Sequence, residues 1–412
     1  MSRIERIELF HVEVPYQAPF YPSWIPGYPQ THNRFTLIRL FTEDGRMGVS
    51  AGAAFTRERQ GLGDLLGGFL LGLEADDLTT VRKHIREASY LGWRNWWIEP
   101  AFWDLMGQIQ NKPVYKLLQV EEETVERVRC YASSGELRPF EQRKLYFDTI
   151  RKMGFTAVKL RVKDPERKHD ADILRASRKE LGNDFVIGVD ANQGWPVSLI
   201  DPNPDWDLEY ATQFGKICDE LGIAWLEEPL DMHDWDGMAE LRRRIKTTVS
   251  GGELHGDWHE VRPLFEHECL GKYQPDATFC GGLTVAKRIM QECRKRKLKF
   301  SPHTWSHGIG FMINLHAFAA WEHREFLEYP FEPPGLLPVE REGIIPPILT
   351  NPDATVNVPQ EPGLGIVIDD ARLRRFGKRF HVSTPLRVAV RVIREKGLKT
   401  ALELKKKKER HA

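Results

Sequence analysis

Three apolar runs in this chain each finish on an acid: FVIGVD on Asp190, IAWLE on Glu227 and TVSGGE on Glu253. A carboxylate withdrawn from water is costly unless a cation or several hydrogen bonds compensate it. Three at the ends of neighbouring strands would also repel one another, and a hard divalent cation held among them removes both problems. All-oxygen ligation suits magnesium, which keeps positions for water or substrate, whereas zinc more often takes His or Cys. Any one of these acids could instead be a helix N-cap, Asp190 with Ala191 and Asn192 after it most readily. Recurrence at three consecutive strand ends favours a shared ion, so Asp190, Glu227 and Glu253 are the expected magnesium ligands. Glu228, next in AWLEEPL, is expected to support that site, its own charge answered by a nearby cation such as a barrel lysine.

The flanking runs carry complementary groups. AVKLRV sets Lys159 and Arg161 two apart, on one face of a strand. Two inward cations need an anion: a metal-bound carboxylate substrate would serve, and for one of them an internal salt bridge to the acids would also serve. Asp276 follows Gln-Pro and His303 follows Ser-Pro. An acid beside a histidine selects its tautomer and raises its pKa toward working pH, so the two read as orienter and base. Glu328, in EFLEYP, reads as a hydrogen-bond donor if it stays protonated. His307 has no partner identifiable from the sequence.

Such residues act together only if the strand ends share one mouth. Eight short β-rich runs, RVRCYASS, TAVKLRV, DFVIGVDAN, IAWLEEPL, TTVSGGEL, KYQPDATF, KFSPHTWS and EFLEYP, alternate with helical segments such as DADILRASRKELG. Parallel neighbours need crossover helices, and in a parallel barrel every strand's carboxyl end opens on one face. A doubly wound sheet is the alternative, but no GxGxxG follows a first strand. Before the barrel, residues 1–125 read as an α+β unit, with alternation in IERIELFHVEV and RFTLIRLFTEDGRMG and helical spacing from Asp64 to Leu118. YQAPFYPSWIPGYPQTHN, rich in proline and aromatics, is expected to be a long loop. The barrel is assigned to residues 126–339, and residues 340–412 to a segment of turns and short strands returning to the first unit, ending in a charged tail.

Composition narrows the partners. The 412 residues carry 59 basic and 59 acidic side chains, so net charge favours no nucleic acid or acidic surface. KKKKER near the end reads as a solvated helix end. The start, MSRIERIELFHVEV, lacks a signal peptide's apolar core, and no run of about 18 apolar residues suggests a membrane span. Cys130, Cys218, Cys269, Cys280 and Cys293 lack CxxC spacing and read as buried or free thiols. A cytoplasmic protein that meets a small molecule, with no nucleic acid and no membrane, is expected.

KLR, GVDAN, WLEEP, GGE, PDATFCGG and SPHTWSHG resemble, in order and spacing, the barrel motifs of the enolase superfamily, in its mandelate racemase/muconate lactonizing enzyme subgroup. The resemblance spans nearly the whole chain. It implies a modified (β/α)7β TIM barrel with an α+β capping domain, and Mg2+ on Asp190, Glu227 and Glu253. It further implies a His303–Asp276 dyad facing Lys159 and its strand neighbour across the substrate, Glu328 as electrophilic acid and Asn192 as a substrate contact. An even-numbered homo-oligomer such as an octamer is implied as well. Members of the subgroup abstract a proton α to a carboxylate and stabilise an enediolate with magnesium.

One departure bears on the reaction. The subgroup's racemases commonly carry Lys-x-Lys on the second barrel strand, where this chain has Lys159-x-Arg161. A guanidinium, with a pKa of about 12 or more, is no proton acceptor near neutrality, whereas its planar fork pairs well with a carboxylate or hydroxyl. With His303 as the one clear base, dehydration of a sugar acid to a 2-keto-3-deoxy acid is favoured over racemisation or epimerisation, which remains open if Lys159 is a second base. A silent binding protein on the same fold is the alternative of another class. Tyr21, Trp24 and His32, from the aromatic stretch that the resemblance places over the barrel mouth, are expected to contact the substrate.

Overall fold

The computed structural model describes residues 2–53, 61–92, 94–120, 123–164 and 169–409. Its strands are β1 (Ile4–Phe20), β2 (Gln30–Thr42), β3 (Met47–Ala53), β4 (Arg127–Ser133), β5 (Ala157–Arg161), β6 (Val186–Asp190), β7 (Trp225–Glu227), β8 (Thr248–Gly251), β9 (Lys272–Tyr273), β10 (Lys299–Phe300), β11 (Leu327–Pro330), β12 (Thr355–Asn357) and β13 (Gly377–Ser383). They form two sheets.

The first is antiparallel, in the order β13-β1-β2-β3. Alternation buries Ile4, Ile7 and Leu9 with Ile38 and Leu40 against helices 62–70, 78–91 and 99–109. The long loop expected after Val14 is shorter than the composition suggested. Strand β1 continues to Phe20, pairing Pro15 with His32 and Phe20 with Gln30, so that only residues 21–29 turn. The prolines are tolerated because β13 pairs with β1 no farther than Val12, so no ladder partner is lost on that side.

The second sheet is a TIM barrel, its eight parallel strands in the order β10-β9-β8-β7-β6-β5-β4-β11. All eight runs identified by their β-rich composition form these strands. The seam between β10 and β11 is bridged by Ser301 Oγ donating to Phe326 O (2.8 Å) and Thr304 Oγ1 donating to Glu328 O (3.0 Å). Helix 308–319 is apolar on every side because it is buried on every side, with His307 as its N-cap. Within it, His316 accepts from Tyr115 N (3.1 Å) at Nδ1 and donates to Leu364 O (3.0 Å) at Nε2.

Two acids of helix 99–109 tie the small unit to the rest. Glu99 accepts from Leu283 N (2.8 Å) and Thr284 N (3.2 Å), capping the barrel helix 282–296, and pairs with Arg82 at 3.0 Å. Asp104 accepts from Val49 N (2.9 Å) and Leu364 N (2.8 Å). The last segment reaches both sheets, β12 pairing with β4 and β13 with β1. It ends in helices 385–396 and 398–409, the second carrying the exposed lysines 405–407. All five cysteines are free and buried. Among the described residues no helix is long and apolar enough to cross a membrane.

Candidate active site

Register sets the site. Arg161 pairs with Asp190, and Asp190 with Glu227, so three strand ends stand side by side at one mouth. Glu253 follows two residues after β8, beyond Gly252 at φ +102°, a left-handed turn open to glycine. Lys159 Nζ lies among the acids, 2.5 Å from Glu227 Oε1, 2.7 Å from Glu328 Oε1 and 3.2 Å from Asp190 Oδ2. Arg161 pairs with the same Asp190 oxygen, donates to Ser134 O (2.7 Å), and has its guanidinium 5.2 Å from the Trp24 ring and 5.4 Å from the Trp305 ring. The sequence left a substrate anion or an internal salt bridge as partners for these cations; both make the salt bridge.

The charges are not balanced within the protein. Asp190, Glu227, Glu228, Glu253, Asp276 and Glu328 are six buried carboxylates. Were all six ionised, they would outnumber Lys159, Arg161, Lys163 and a protonated His303 by two, a deficit of positive charge. Burial, with Arg161 opposing it, leaves the Asp190 pKa raised, and burial with Glu253 and Asp190 nearby holds Glu228 well above the carboxylate range. Glu253 is pushed up to about 7, by burial against the opposing His303. Glu228 Oε2 has no hydrogen-bond partner among the described residues, and its carboxylate fills space that a Cβ at Gly194 would occupy, 2.3 Å from Oε1. Among the described residues no barrel lysine forms an ion pair with it, and Lys163 donates instead to Asn192 O (3.1 Å). Glu228 and Asn192 both sit at positive φ (45° and 47°), held by Glu228 N donating to Ser250 O (2.9 Å) and Gln193 N to Glu228 O (2.9 Å). Such non-glycine geometry persists only where surroundings impose it.

Hard oxygen donors, a double deficit of positive charge and an orphaned carboxylate oxygen fit a divalent cation. As the side chains stand, however, no three acids, histidines or cysteines among the described residues close on one point. Asp190 and Glu227 turn onto Lys159, and Glu253 accepts from Trp195 Nε1 (3.1 Å), so ligation would require these side chains to turn.

Opposite lies His303, its Nδ1 3.1 Å from Asp276 Oδ2 and its Nε2 3.5 Å from Glu253 Oε2. The other Asp276 oxygen accepts from Thr278 N (2.8 Å), Thr278 Oγ1 (2.7 Å) and Asn314 Nδ2 (2.8 Å), so the carboxylate is fixed before it meets the imidazole. Burial lowers the His303 pKa, but Glu253 and Asp276 outweigh it and the net is a rise to about 9. Glu328 differs from expectation. It accepts from Ser133 Oγ (2.8 Å) and Thr304 N (2.8 Å), and although burial opposes ionisation, Lys159 brings its pKa down to about 2. It is an acceptor here and not a donor, because the lysine that β5 places beside it was not visible as a partner in the sequence.

The aromatic residues divide. Trp24 reaches the mouth, its ring 5.1 Å from Trp305 and 5.6 Å from Phe20, while Phe20 stacks on Trp305 at 5.6 Å. Tyr21 lies beside it, its N–H donating to Glu136 (2.8 Å) and its side chain exposed. His32 does not join them: on β2 opposite Pro15, its Nδ1 meets Thr31 Oγ1 at 2.9 Å and Arg34 at 3.4 Å. Asn192 is at the site, accepting from Ser23 Oγ (2.7 Å). Ser23, Trp305, Asn314 and Lys163 escaped the sequence reading. Trp305, two residues past His303, and Lys163, continuing the alternation of Lys159 and Arg161, carried a readable signal; Ser23 and Asn314 carried none.

Residues 145–372 match the family described as enolase C-terminal domain-like. The L-talarate/galactarate dehydratase of Salmonella typhimurium is 30% identical over 290 residues, which span 68% of this chain and 66% of that protein. Its crystal structure superposes with a TM-score of 0.76, at 25% identity, covering 92% of this chain and 93% of that one. A 3,6-anhydro-alpha-L-galactonate cycloisomerase of Streptomyces coelicolor is 27% identical over 83% of this chain and 91% of its own length. An L-talarate dehydratase of a Polaromonas species, crystallised with Mg and L-glucarate, shares the fold at 23% identity, with a TM-score of 0.75 and coverage of 93% and 99%. With the barrel, its capping sheet and the acids at its strand ends in place, the chain belongs to the enolase superfamily.

Proposed function

We propose that this protein is a magnesium-dependent carbon–oxygen lyase that removes water from a sugar acid, leaving a 2-keto-3-deoxy acid. Asp190, Glu227 and Glu253 would hold the ion, with Glu228 behind them. When bound, magnesium would stabilise the negative charge that builds on the substrate carboxylate as its α-proton leaves. The dehydratase names among the relatives support the reaction class, and the charge deficit at the mouth supports the ion.

The observation that carries the reading is the asymmetry of the two faces. On one, His303 has an oriented ring, with Nδ1 committed to Asp276 and Nε2 toward Glu253 and the mouth. On the other, Arg161 is paired and flanked by two indoles, and Lys159 Nζ is committed to Glu328 Oε1 at 2.7 Å, an acid outside the proposed ligand set. Two-base racemisation needs a proton acceptor on each face, whereas dehydration is served by one. His303 accepts the α-proton and returns a proton to the departing β-hydroxyl, which leaves as water; the enol that remains becomes the 2-keto product. Lys159 and Arg161 hold carboxylate and hydroxyl oxygens, Glu328 anchors Lys159, Asn192 meets the substrate, and Trp24 with Tyr21 closes over it. We also read the protein as a cytoplasmic homo-oligomer with segments 1–125, 126–339 and 340–412, the first and last forming one cap; pairing of β13 with β1 supports that cap.

A screen of aldonic and aldaric acids with magnesium, scored for 2-keto-3-deoxy products by semicarbazide absorbance, tests the proposal. Water loss from at least one acid is expected. An acid that exchanges its α-proton in deuterated buffer and epimerises without losing water replaces this reading with the racemase. Failure of the protein to bind magnesium in a titration replaces it with a silent binding protein.

A further inference from the structure

The barrel has a second opening. At the end opposite the acids, a cavity of about 300 Å³ is lined by the first residues of five consecutive strands: Val186, Trp225, Thr248, Lys272 and Lys299. Lys272 is 5% exposed, with Nζ 3.8 Å from the Trp225 ring centroid and 5.4 Å from that of Tyr131. No carboxylate lies within ion-pair distance of it among the described residues. Glu325, the one acid lining the cavity, is taken by Lys299 at 2.9 Å. Arg129, over the Phe326 ring at 5.2 Å, adds further positive charge. The Tyr131 hydroxyl is buried without a hydrogen-bond partner among the described residues. A buried ammonium is tolerated when an aromatic face or an anion meets it, and here only the aromatic face is provided. Burial accordingly pushes the Lys272 amine down to about 8.

We propose that this cavity binds a small amphipathic carboxylate, its charged end on Lys272 and its apolar body against Trp225, Phe300 and Phe326. The volume lies at the small end of ligand pockets, and walls of indole and phenyl suit a ring or short hydrocarbon better than a polyol. The site is therefore distinct in chemistry, as well as in place, from the mouth that takes the sugar acid. It is one side chain from that mouth: Trp225 Nε1 donates to Glu227 Oε2 (3.1 Å), and Gln274, two residues beyond Lys272, donates to the same oxygen (2.7 Å).

The test uses the magnesium-loaded full chain. Crystals soaked in 4-bromobenzoate are expected to show anomalous bromine density in this cavity, with the carboxylate on Lys272. In solution, benzoate is expected to perturb tryptophan fluorescence, and Lys272→Met to weaken its binding about tenfold or more, the loss of one charge-assisted contact. Bromine found only at the mouth, or an unchanged affinity in Lys272→Met, overturns the proposal. Should that variant fail to fold, the soak of the unaltered protein decides alone.

Discussion

Replacing Asp276 with asparagine tests the dyad more sharply than removing it. One oxygen of Asp276 already accepts three donors, from Thr278 N, Thr278 Oγ1 and Asn314 Nδ2. An amide nitrogen cannot take that place, so in Asp276→Asn it must face His303, where it donates. Nδ1 of His303, 3.1 Å away, then becomes the acceptor and the ring proton moves to Nε2. A neutral imidazole with its proton on the substrate side cannot take another there. In a serine-protease triad the same exchange costs about 10⁴-fold in kcat, and a loss of that order is expected here with little change in KM. Loss of the acid's charge and of its hydrogen bond also lowers the His303 pKa. The pH dependence of ethoxyformylation, resolved to His303 by mass spectrometry in magnesium-loaded protein, reads that shift without a substrate. The midpoint should move down while turnover collapses, a combination that misfolding would not give. Turnover within about threefold of the unaltered enzyme, or an unmoved midpoint, would refute the reasoning.

Three further expectations rest on separate parts of the molecule. His303→Asn should abolish turnover yet leave the magnesium titration intact; retained turnover would remove His303 from the mechanism. Glu99→Ala strips a buried acceptor from Leu283 N, Thr284 N and Arg82, and should cost about 3–5 kcal/mol in urea unfolding, whereas a cost below about 1 kcal/mol would mean that water replaces the carboxylate. Burial pushes the His316 pKa down to about 4, from about 6.5 when unfolded, so on acidification the unfolded chain binds the proton first. Its contribution, about 3 kcal/mol, is fully present above that unfolded value and is lost between pH 6.5 and 4; His255 and His307 are depressed alike, so His316→Gln should show an acid-induced fall smaller than the unaltered protein's by about that amount, and an equal fall would refute the assignment.

The acids at the strand ends, the Asp276 and His303 pair and the eight-strand order were legible because they depend on local rules. Apolar runs of strand length mark barrel strands, and a polar residue at the end of one has a single mouth to face. What the chain's own order could not convey is where separate segments meet. Phe20 and Trp24 meet Trp305 from the far side of the sequence, Asn314 reaches back to Asp276 from a helix, and His32 lies on β2 opposite Pro15. The charge on Glu328 was likewise settled by Lys159 lying 2.7 Å away, a distance set by the register of parallel strands. Residue type and spacing thus determined which chemical groups this protein has to offer. Their partners, ionisation and direction were decided only by folding, because each depends on contacts between residues far apart in sequence, which no periodicity encodes.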